Sequence, residues 1–357
     1  MTFASDNWAG ASTRVMEALG NASAGDAPAY GGDAFTARAK ALLADTFEHE
    51  VAAFFVATGS AANALCLSAF SRPAGVVFGA MDAHIARDEA AAPFLLAPGT
   101  TFHAVEGPDG RIGPEELSEA LCYYPPGVVH HGQATAVSLT NVNEFGQCYT
   151  PDETAAVADV AKRRGLRVHL DGARFSNALA FTGATPADLT WRAGVDAVSL
   201  GLTKTGGWCA EVAVFFDPAV AEDVAYRHKQ AAQLFSKNRF AAAQVIALLE
   251  DGHALTLAAH ANAMGHRLAE AVAAAPDAAL VLPTQSNEVF AWLSPAAARR
   301  LEAAGYPVRT WLPHTRRLPP PPDPAWTMAR FVASFRTREE DVDRFAATLA
   351  APAAAPA

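Results

Sequence analysis

Between about residues 51 and 216, short apolar runs of strand length alternate with alanine-rich stretches of helical length. This pattern predicts a parallel or mixed β-sheet covered by helices on both faces. The predicted strands are residues 53–57, 75–78, 136–140, 166–170, 196–200 and 212–216. In such sheets ligands bind where strands end and helices begin, so a functional site is expected at that edge.

After about residue 250 the pattern changes. Helices are predicted at 254–275 and 338–349, with candidate strands at 280–282, 288–293 and 328–335, which indicates a smaller α+β domain. We therefore expect a large domain over 1–250, with an N-terminal arm over 1–15, and a small domain over 251–349. Residues 350–357 contain only alanine and proline, cannot bury enough surface to fold, and are expected to form a disordered tail.

Charge narrows the class of partner. The chain carries 37 acidic and 27 basic residues, a formal net charge of −10. This balance argues against nucleic acid or an anionic membrane as partner, because both require clustered lysine and arginine. A small metabolite is the expected partner.

Apolar runs and cysteines indicate the compartment. No apolar run approaches the length of a membrane span, about 18 residues, and the N-terminal residues lack the basic and apolar segments of a secretion signal. The four cysteines include no CxxC pair, so most are expected to be small buried residues rather than zinc ligands or disulfide partners. A cytoplasmic protein is expected.

Two segments place a charged side chain just after a buried strand. Asp171 follows the apolar run 168–170, and Lys204, 33 positions later, follows 197–201 among flexible glycines. Each segment alone fits an ordinary turn or a solvated charge. Together they meet the needs of pyridoxal phosphate (PLP), which requires an acid at its pyridine nitrogen and a lysine amine for a Schiff base.

Two more strand ends fit the same cofactor. The sequence Thr58-Gly59-Ser60 opens a helix, where backbone amides and hydroxyls can hold a phosphate, and Thr203 could add a hydroxyl. Ser60 is explained equally well as an N-cap without a ligand. His84 follows another strand and could stack on the pyridine ring and move a proton, although a lone histidine is more often structural.

Together these segments resemble the low-specificity L-threonine aldolase family of PLP-dependent enzymes. The matching segments are SDN at 5–7, AYGGD at 29–33, TGSAAN at 58–63, AHI at 83–85, LDGARFSN at 170–177, LTK at 202–204 and RFV at 330–332. The ordered set is specific, whereas its single members are not. The resemblance implies an α/β fold-type-I PLP-dependent transferase-like structure, with a mostly parallel seven-stranded sheet in the large domain and a smaller α+β C-terminal domain.

The resemblance also implies a role for each matching residue. The implied catalytic residues are Lys204, as the Schiff-base lysine, Asp171, as the partner of the ring nitrogen, and His84, as the stacking residue and candidate base. Further cofactor contacts are implied for Thr58, Gly59, Ser60, Thr203, Arg174 and Arg239, the last from a neighbouring subunit. Substrate contacts are implied for Ser5, Tyr30, Arg174 and Arg330. No metal is expected, and a homotetramer built as a dimer of dimers is implied.

One departure from the family pattern bears on the chemistry. Some members carry a second histidine in an Asn-Thr-His-Asn segment, where this chain reads TNVNEFG at 140–146. The group that takes the proton of the substrate's β-hydroxyl therefore stays open between His84, a water and Glu144. At the lysine, Thr203-Lys204-Thr205 replaces Ser-Lys-Gly and keeps a hydroxyl.

The implied activity is that of a carbon–carbon lyase, which cleaves L-threonine, L-allo-threonine and related 3-hydroxy-L-amino acids to glycine and an aldehyde. β-Elimination, transamination and cleavage of phenylserine-type substrates on the same fold stay open. A dehydrogenase or nucleotide-dependent enzyme is disfavoured, because no GxGxxG follows a strand and Thr203 stands where a Walker loop needs glycine. The intact Lys204, Asp171 and His84 argue against a catalytically silent relative.

Overall fold

The computed structural model describes residues 2–352, which form a seven-stranded sheet, a three-stranded sheet and thirteen α-helices. The strands are β1 (Ala52–Val56), β2 (Gly75–Ala80), β3 (Thr101–Val105), β4 (Gln133–Thr140), β5 (Arg167–Gly172), β6 (Ala197–Leu200), β7 (Glu211–Phe215), β8 (Ala278–Leu280), β9 (Glu288–Leu293) and β10 (Thr327–Val332).

The helices cover both faces of the large sheet and pack on the small one. They are α1 (Thr13–Ala22), α2 (Ala34–Phe47), α3 (Gly59–Phe70), α4 (His84–Arg87), α5 (Ala92–Leu95), α6 (Pro114–Cys122), α7 (Pro151–Arg163), α8 (Phe175–Thr182), α9 (Ala221–Gln230), α10 (Arg239–Leu249), α11 (His253–Ala274), α12 (Pro295–Ala303) and α13 (Glu339–Ala350). No helix within residues 2–352 is both long enough and apolar enough to cross a membrane.

The large sheet has the strand order β1-β7-β6-β5-β4-β2-β3. Strands β2 to β6 pair in parallel, and β7 runs antiparallel to both of its neighbours. Its central strands are buried and apolar, because helices cover both faces of a parallel sheet. The pairing brings Thr140 of β4 and Ser199 of β6 level with Asp171 of β5, so that three strand ends meet. The predicted mostly parallel seven-stranded sheet is confirmed.

The small sheet is antiparallel, in the order β10-β9-β8. Its core includes Val289, Phe331 and Phe345, and also Phe3 from the N-terminal arm. The backbone of Phe3 accepts a hydrogen bond of 2.8 Å from the N–H of Val332, at the end of β10. The arm is therefore fixed to the small sheet, whereas the predicted domain boundary near residue 250 stays a prediction.

All six strands predicted for the large sheet exist, with ends shifted by three residues or fewer. The sequence pattern missed β3, because this edge strand is only partly buried and has polar Thr101 and His103 among its residues. The strand predicted at 280–282 was placed too late, since β8 ends at Leu280 while Val281 and Leu282 are buried in a separate apolar cluster. Strand β10 ends at Val332, three residues before the predicted end.

Other predictions from the sequence are confirmed or corrected. Both helices predicted after residue 250 are confirmed within one residue. The expectation that most cysteines are buried is wrong, since Cys66 and Cys148 are buried but Cys122 is exposed and Cys209 is partly exposed. The tail was predicted to start at 350, but Ala350 ends α13, and residues 353–357 of that prediction lie outside the described residues.

Gly201, between β6 and the Lys204 turn, tests how closely the strand ends pack. A Cβ added there would lie 2.5 Å from the carbonyl oxygen of Ala173, which is backbone and cannot move aside easily. We expect Gly201→Ala to lower the free energy of unfolding by about 1–3 kcal/mol, measured by urea titration. Gly20→Ala on α1 is the matched control, because its added Cβ meets nothing within 4 Å. Equal stability of the two variants would contradict the close packing.

Candidate active site

A cleft of about 380 Å³ opens at the carboxyl ends of the large sheet and is bounded on one side by the small sheet. Ten of the residues singled out from the sequence line it together: Ser5, Thr58, Gly59, Ser60, His84, Asp171, Arg174, Thr203, Lys204 and Arg330. The elements that carry them are far apart in sequence and converge because parallel strands end at one edge.

Asp171 lies in the floor of the cleft near the end of β5 and is only 2% exposed. Its Oδ1 accepts a hydrogen bond of 3.0 Å from the N–H of Ala173, and its Oδ2 accepts one of 2.8 Å from the Asn63 amide. No arginine, lysine or histidine within residues 2–352 forms an ion pair with this carboxylate. Since a buried charge is costly without a counter-charge, Asp171 suits a cationic ring nitrogen as its partner.

His84 is joined to Asp171 through two side chains. Its Nδ1 lies 2.7 Å from Oε1 of Glu89, and the Asn63 amide nitrogen donates to that same oxygen at 2.8 Å. The hydrogen bond to Glu89 raises the pKa of His84, an effect that burial partly opposes. The amide of Asn63 thus links the two carboxylates and fixes the imidazole at the cleft wall.

Lys204 lies in the 3-10 turn Thr203–Thr205, directly after β6. Glu211 of β7 holds this turn, because its carboxylate accepts hydrogen bonds from the N–H groups of Leu202, at 2.7 Å, and Thr203, at 3.3 Å. In the part of the chain that the structure describes, the Lys204 amine has no ion-pair partner. A primary amine just after β6 and a buried carboxylate near the end of the adjacent strand β5 are the groups that PLP requires, so the residues present fit this cofactor.

Helix α3 begins at the same cleft and offers a phosphate site. The first N–H groups of a helix have no intrahelical partner, and a Cβ added to Gly59 would meet no atom within 4 Å. The interpretation of Ser60 as N-cap is wrong: the N-cap is Thr58, whose hydroxyl accepts a hydrogen bond of 3.1 Å from Ala61 N–H. Gly59 and Ser60 are the first two helical residues, which leaves their N–H groups available to an anion.

Four charged side chains form the opposite end of the cleft. Arg174 donates two hydrogen bonds to Asp6, at 2.7 and 3.0 Å, and its third nitrogen lies 3.0 Å from Glu288. Arg330 reaches the other oxygen of Glu288 at 3.4 Å and stacks on Trp311, with 4.6 Å from its guanidinium carbon to the ring centroid. Arg174 therefore already neutralises two carboxylates, whereas Arg330 pairs with one carboxylate in the described part of the chain.

The remaining predicted residues differ in where they lie. Ser5 caps the short turn Asp6–Trp8, its hydroxyl accepting from Asn7 N–H at 3.2 Å beside the cleft. Tyr30 is 58% exposed, and neither it nor Arg239 lines the cleft. Tyr30 N–H binds the carbonyl of Ser236 and Arg239 binds that of Gly25, so both lie on one separate surface. A single chain does not bring these two residues to the site.

Several residues of the site were not predicted from the sequence. Asn63, Glu89, Glu211 and Glu288 line the cleft, and the buried side chains of Asp6 and His169 contact the lining residues Arg174 and Ser199. His169 lies two residues before Asp171 on the same face of β5, and its ring nitrogens lie 2.9 Å from Ser138 Oγ and 2.8 Å from Ser199 Oγ. Burial lowers its pKa to about 4. A polar residue within an apolar run, such as Asn63 in α3, is the available sequence signal for this kind of role.

Comparisons with known proteins agree with this geometry. Residues 2–295 match the family model described as beta-eliminating lyase. The low specificity L-threonine aldolase of Pseudomonas sp. (strain NCIMB 10558) is 37% identical over 349 residues, which cover 98% of this chain and 97% of that protein.

Two solved structures share the fold. That of the threonine aldolase of Leishmania major has a TM-score of 0.88 at 24% sequence identity, over 97% of this chain and 98% of that one. The structure of a serine palmitoyltransferase from S. paucimobilis with bound PLP has a TM-score of 0.70 at 16% sequence identity. This match covers 95% of this chain and 83% of that one. Both confirm the fold predicted from the sequence.

The Asp6–Arg174 pair predicts an acid-sensitive component of stability. Burial alone would raise the pKa of Asp6, but the charge and hydrogen bonds of Arg174 hold it at about 2. Because this pKa lies below that of an unfolded aspartate, about 3.9, the stabilisation is complete above about pH 4 and is lost as the pH falls through 2. Between about pH 4 and pH 2 the free energy of unfolding should fall in both proteins. We expect the fall to be about 2 kcal/mol smaller in Asp6→Asn than in the unmodified protein.

Urea unfolding at several pH values, followed by circular dichroism, measures this difference. Asp159→Asn, at an exposed position on α7, is the control and is expected to keep the full acid dependence. Identical acid dependence of the Asp6→Asn variant and the unmodified protein would show that Arg174 does not depress the pKa of Asp6.

Proposed function

Because this chain belongs to the beta-eliminating lyase family, with low specificity L-threonine aldolases as relatives, we propose that it cleaves L-threonine, L-allo-threonine and related 3-hydroxy-L-amino acids to glycine and an aldehyde. The family inferred from the sequence segments is confirmed by these matches. The observation that carries the proposal is the meeting of Lys204, Asp171 and His84 in one cleft, between a helix N-terminus and a pair of arginines.

The cofactor of this reaction is PLP, which supplies a carbonyl group for amines and a ring that withdraws electrons from the substrate's Cα. In our proposal Lys204 would react with the carbonyl group of PLP and so anchor the cofactor. Asp171 would keep a proton on the ring nitrogen of PLP, and His84 would contact its ring. The N–H groups of Gly59 and Ser60 bind the phosphate. The amine of Lys204, which has no ion-pair partner among residues 2–352, and the buried carboxylate of Asp171 support these assignments.

The arginines differ in what they can do for the substrate. Arg330 has one carboxylate partner among residues 2–352 and lies over the ring of Trp311, so we assign it the main grip on the substrate carboxylate, together with Ser5. Arg174 is already paired with Asp6 and Glu288 and orients this end of the cleft. Fixing the carboxylate fixes the rotation about the Cα–N bond, and this rotation decides which bond at Cα breaks.

Assembly and location are also part of the proposal. Tyr30 and Arg239 lie outside the cleft of their own chain, and Tyr30 is exposed, which supports a contribution of both residues to the site of a second copy. We propose a homo-oligomer of the dimer-of-dimers kind, located in the cytoplasm. The division into domains at about residue 250 belongs to the same proposal.

Incubation of the purified protein and PLP with threonine, allo-threonine, serine and phenylserine, each in L and D forms, tests the reaction. We expect aldehyde and glycine from the L forms of threonine and allo-threonine, detected by coupled aldehyde reduction and amino-acid analysis. Keto acid without aldehyde would contradict the aldolase activity and indicate elimination or transamination.

Replacing the lysine tests the cofactor assignment. We expect Lys204→Ala to lose the visible absorbance band that borohydride removes from the unmodified protein, and to lower kcat more than about 10²-fold, since it removes both nucleophile and proton carrier. Lys40→Ala, at an exposed position on α2, is the control and should keep band and activity. A colourless unmodified protein that does not respond to added PLP would contradict the proposal.

A further inference from the structure

We propose that Glu144 is the general base that takes the proton of the substrate's β-hydroxyl when the Cα–Cβ bond breaks. This assignment rests on the proposed function. It selects one of the three acceptors that the sequence left open, and it follows from the position and contacts of the side chain.

Glu144 follows β4 in the loop beside the end of β5, and it lines the cleft together with His84 and Asp171. Its Oε1 accepts a hydrogen bond of 2.7 Å from the backbone N–H of His84. Its Oε2 is buried and has no hydrogen-bond partner among residues 2–352. A buried carboxyl oxygen without a partner is costly, and a hydroxyl bound in the cleft would supply the missing donor.

The loop that carries Glu144 is held rigidly. The side-chain oxygen of Asn143 accepts hydrogen bonds from the N–H groups of Phe145, at 3.0 Å, and Gln147, at 2.9 Å. Gly146 follows with a φ of +74°, and a Cβ added there would lie 3.1 Å from the carbonyl oxygen of Glu288. The carboxyl is therefore fixed before substrate binds, as a positioned base requires.

The local electrostatics suit proton exchange near neutral pH. Burial raises the pKa of Glu144 to about 8, with a further rise from Asp171 and opposing effects from the His84 N–H and ring. Arg174, before α8, and Tyr149, at the end of the same loop, also interact electrostatically with it. A base is most effective when its pKa lies near the working pH, and Glu144 meets this condition.

His84 is less suited to this step. Its Nδ1 is bound to Glu89, which raises the pKa of the ring and favours the protonated form. In this protonated form the imidazole has donors at both nitrogens and no lone pair to accept a proton, and in the neutral form only Nε2 could accept one. His84 can donate, and its backbone N–H orients Glu144, but the accepting group is the carboxylate.

The step balances without an outside reagent. Glu144 takes the O–H proton, the O–H electron pair becomes the second bond of the aldehyde carbonyl, and the Cα–Cβ bond breaks with its electrons left on Cα. The proton that Glu144 took is then delivered to Cα, which gives glycine. One proton leaves oxygen and one joins carbon, so nothing is oxidised or reduced overall.

Glu144→Gln keeps the shape of the side chain but cannot accept the proton. We expect L-threonine cleavage to fall about 10²–10⁴-fold, whereas exchange of the α-hydrogen of glycine in D₂O, followed by NMR, is retained, because glycine has no β-hydroxyl. The increase of kcat/KM with pH through about 8 should disappear. Glu119→Gln, at an exposed position on α6, is the control and should leave cleavage, exchange and pH profile unchanged.

Two more measurements keep the proposal testable if that variant folds poorly. Glu144→Asp retains a shortened carboxyl and should keep part of the cleavage rate of the unmodified protein. Infrared difference spectra of the unmodified protein, with and without PLP, should show a protonated carboxyl that titrates near pH 8, and the same signal is expected from Glu119→Gln.

The possible failures are distinguishable. If the unmodified protein forms no aldehyde, the proposed function is wrong. If it forms aldehyde and Glu144→Gln does so at the same rate, or if Glu144→Gln loses cleavage and glycine exchange equally, the role of Glu144 as base is wrong.

Discussion

The guanidinium of Arg174 neutralises two buried carboxylates that come from distant parts of the chain, Asp6 in the N-terminal arm and Glu288 at the start of β9. Each of these acids is 2% exposed, so neither can turn to water for a partner. A buried charge without a counter-charge is strongly destabilising, and the arm, the large sheet and the small sheet must therefore close around one point. The cleft lies where these three parts meet.

Closure around Arg174 gives the carboxyls of the cleft very different surroundings. Asp6 is paired with a cation and has a pKa of about 2, whereas Glu144 is buried beside a backbone donor and has a pKa of about 8. Asp171 shares the amide of Asn63 with Glu89 and lacks a cationic partner of its own among residues 2–352. In our proposal the same functional group serves as an ion-pair partner, a proton acceptor and a cofactor ligand, because its environment sets its affinity for protons.

The sequence was most informative where chemistry and strand pattern coincide. Asp171 and Lys204 could be identified because each charged residue follows an apolar strand, and the carboxyl ends of parallel strands meet. Edge strand β3 was missed because half-exposed strands carry no continuous apolar run. Glu288 also escaped notice: it precedes the apolar run of β9, and its arginine partners, Arg330 on β10 and Arg174 before α8, lie beside it only in the folded chain.

By itself, the sequence determined the alternation of strands and helices, the mostly parallel sheet, the family and the residues that meet at its strand ends, since these follow from local periodicity and from ordered motifs. The tertiary structure alone decided which charges pair, that Thr58 rather than Ser60 caps α3, and that one oxygen of Glu144 lacks a partner. Charge pairing and proton affinity depend on distance and burial in three dimensions, and residues as far apart in the chain as Asp6, Arg174 and Glu288 acquire both only when the chain has folded.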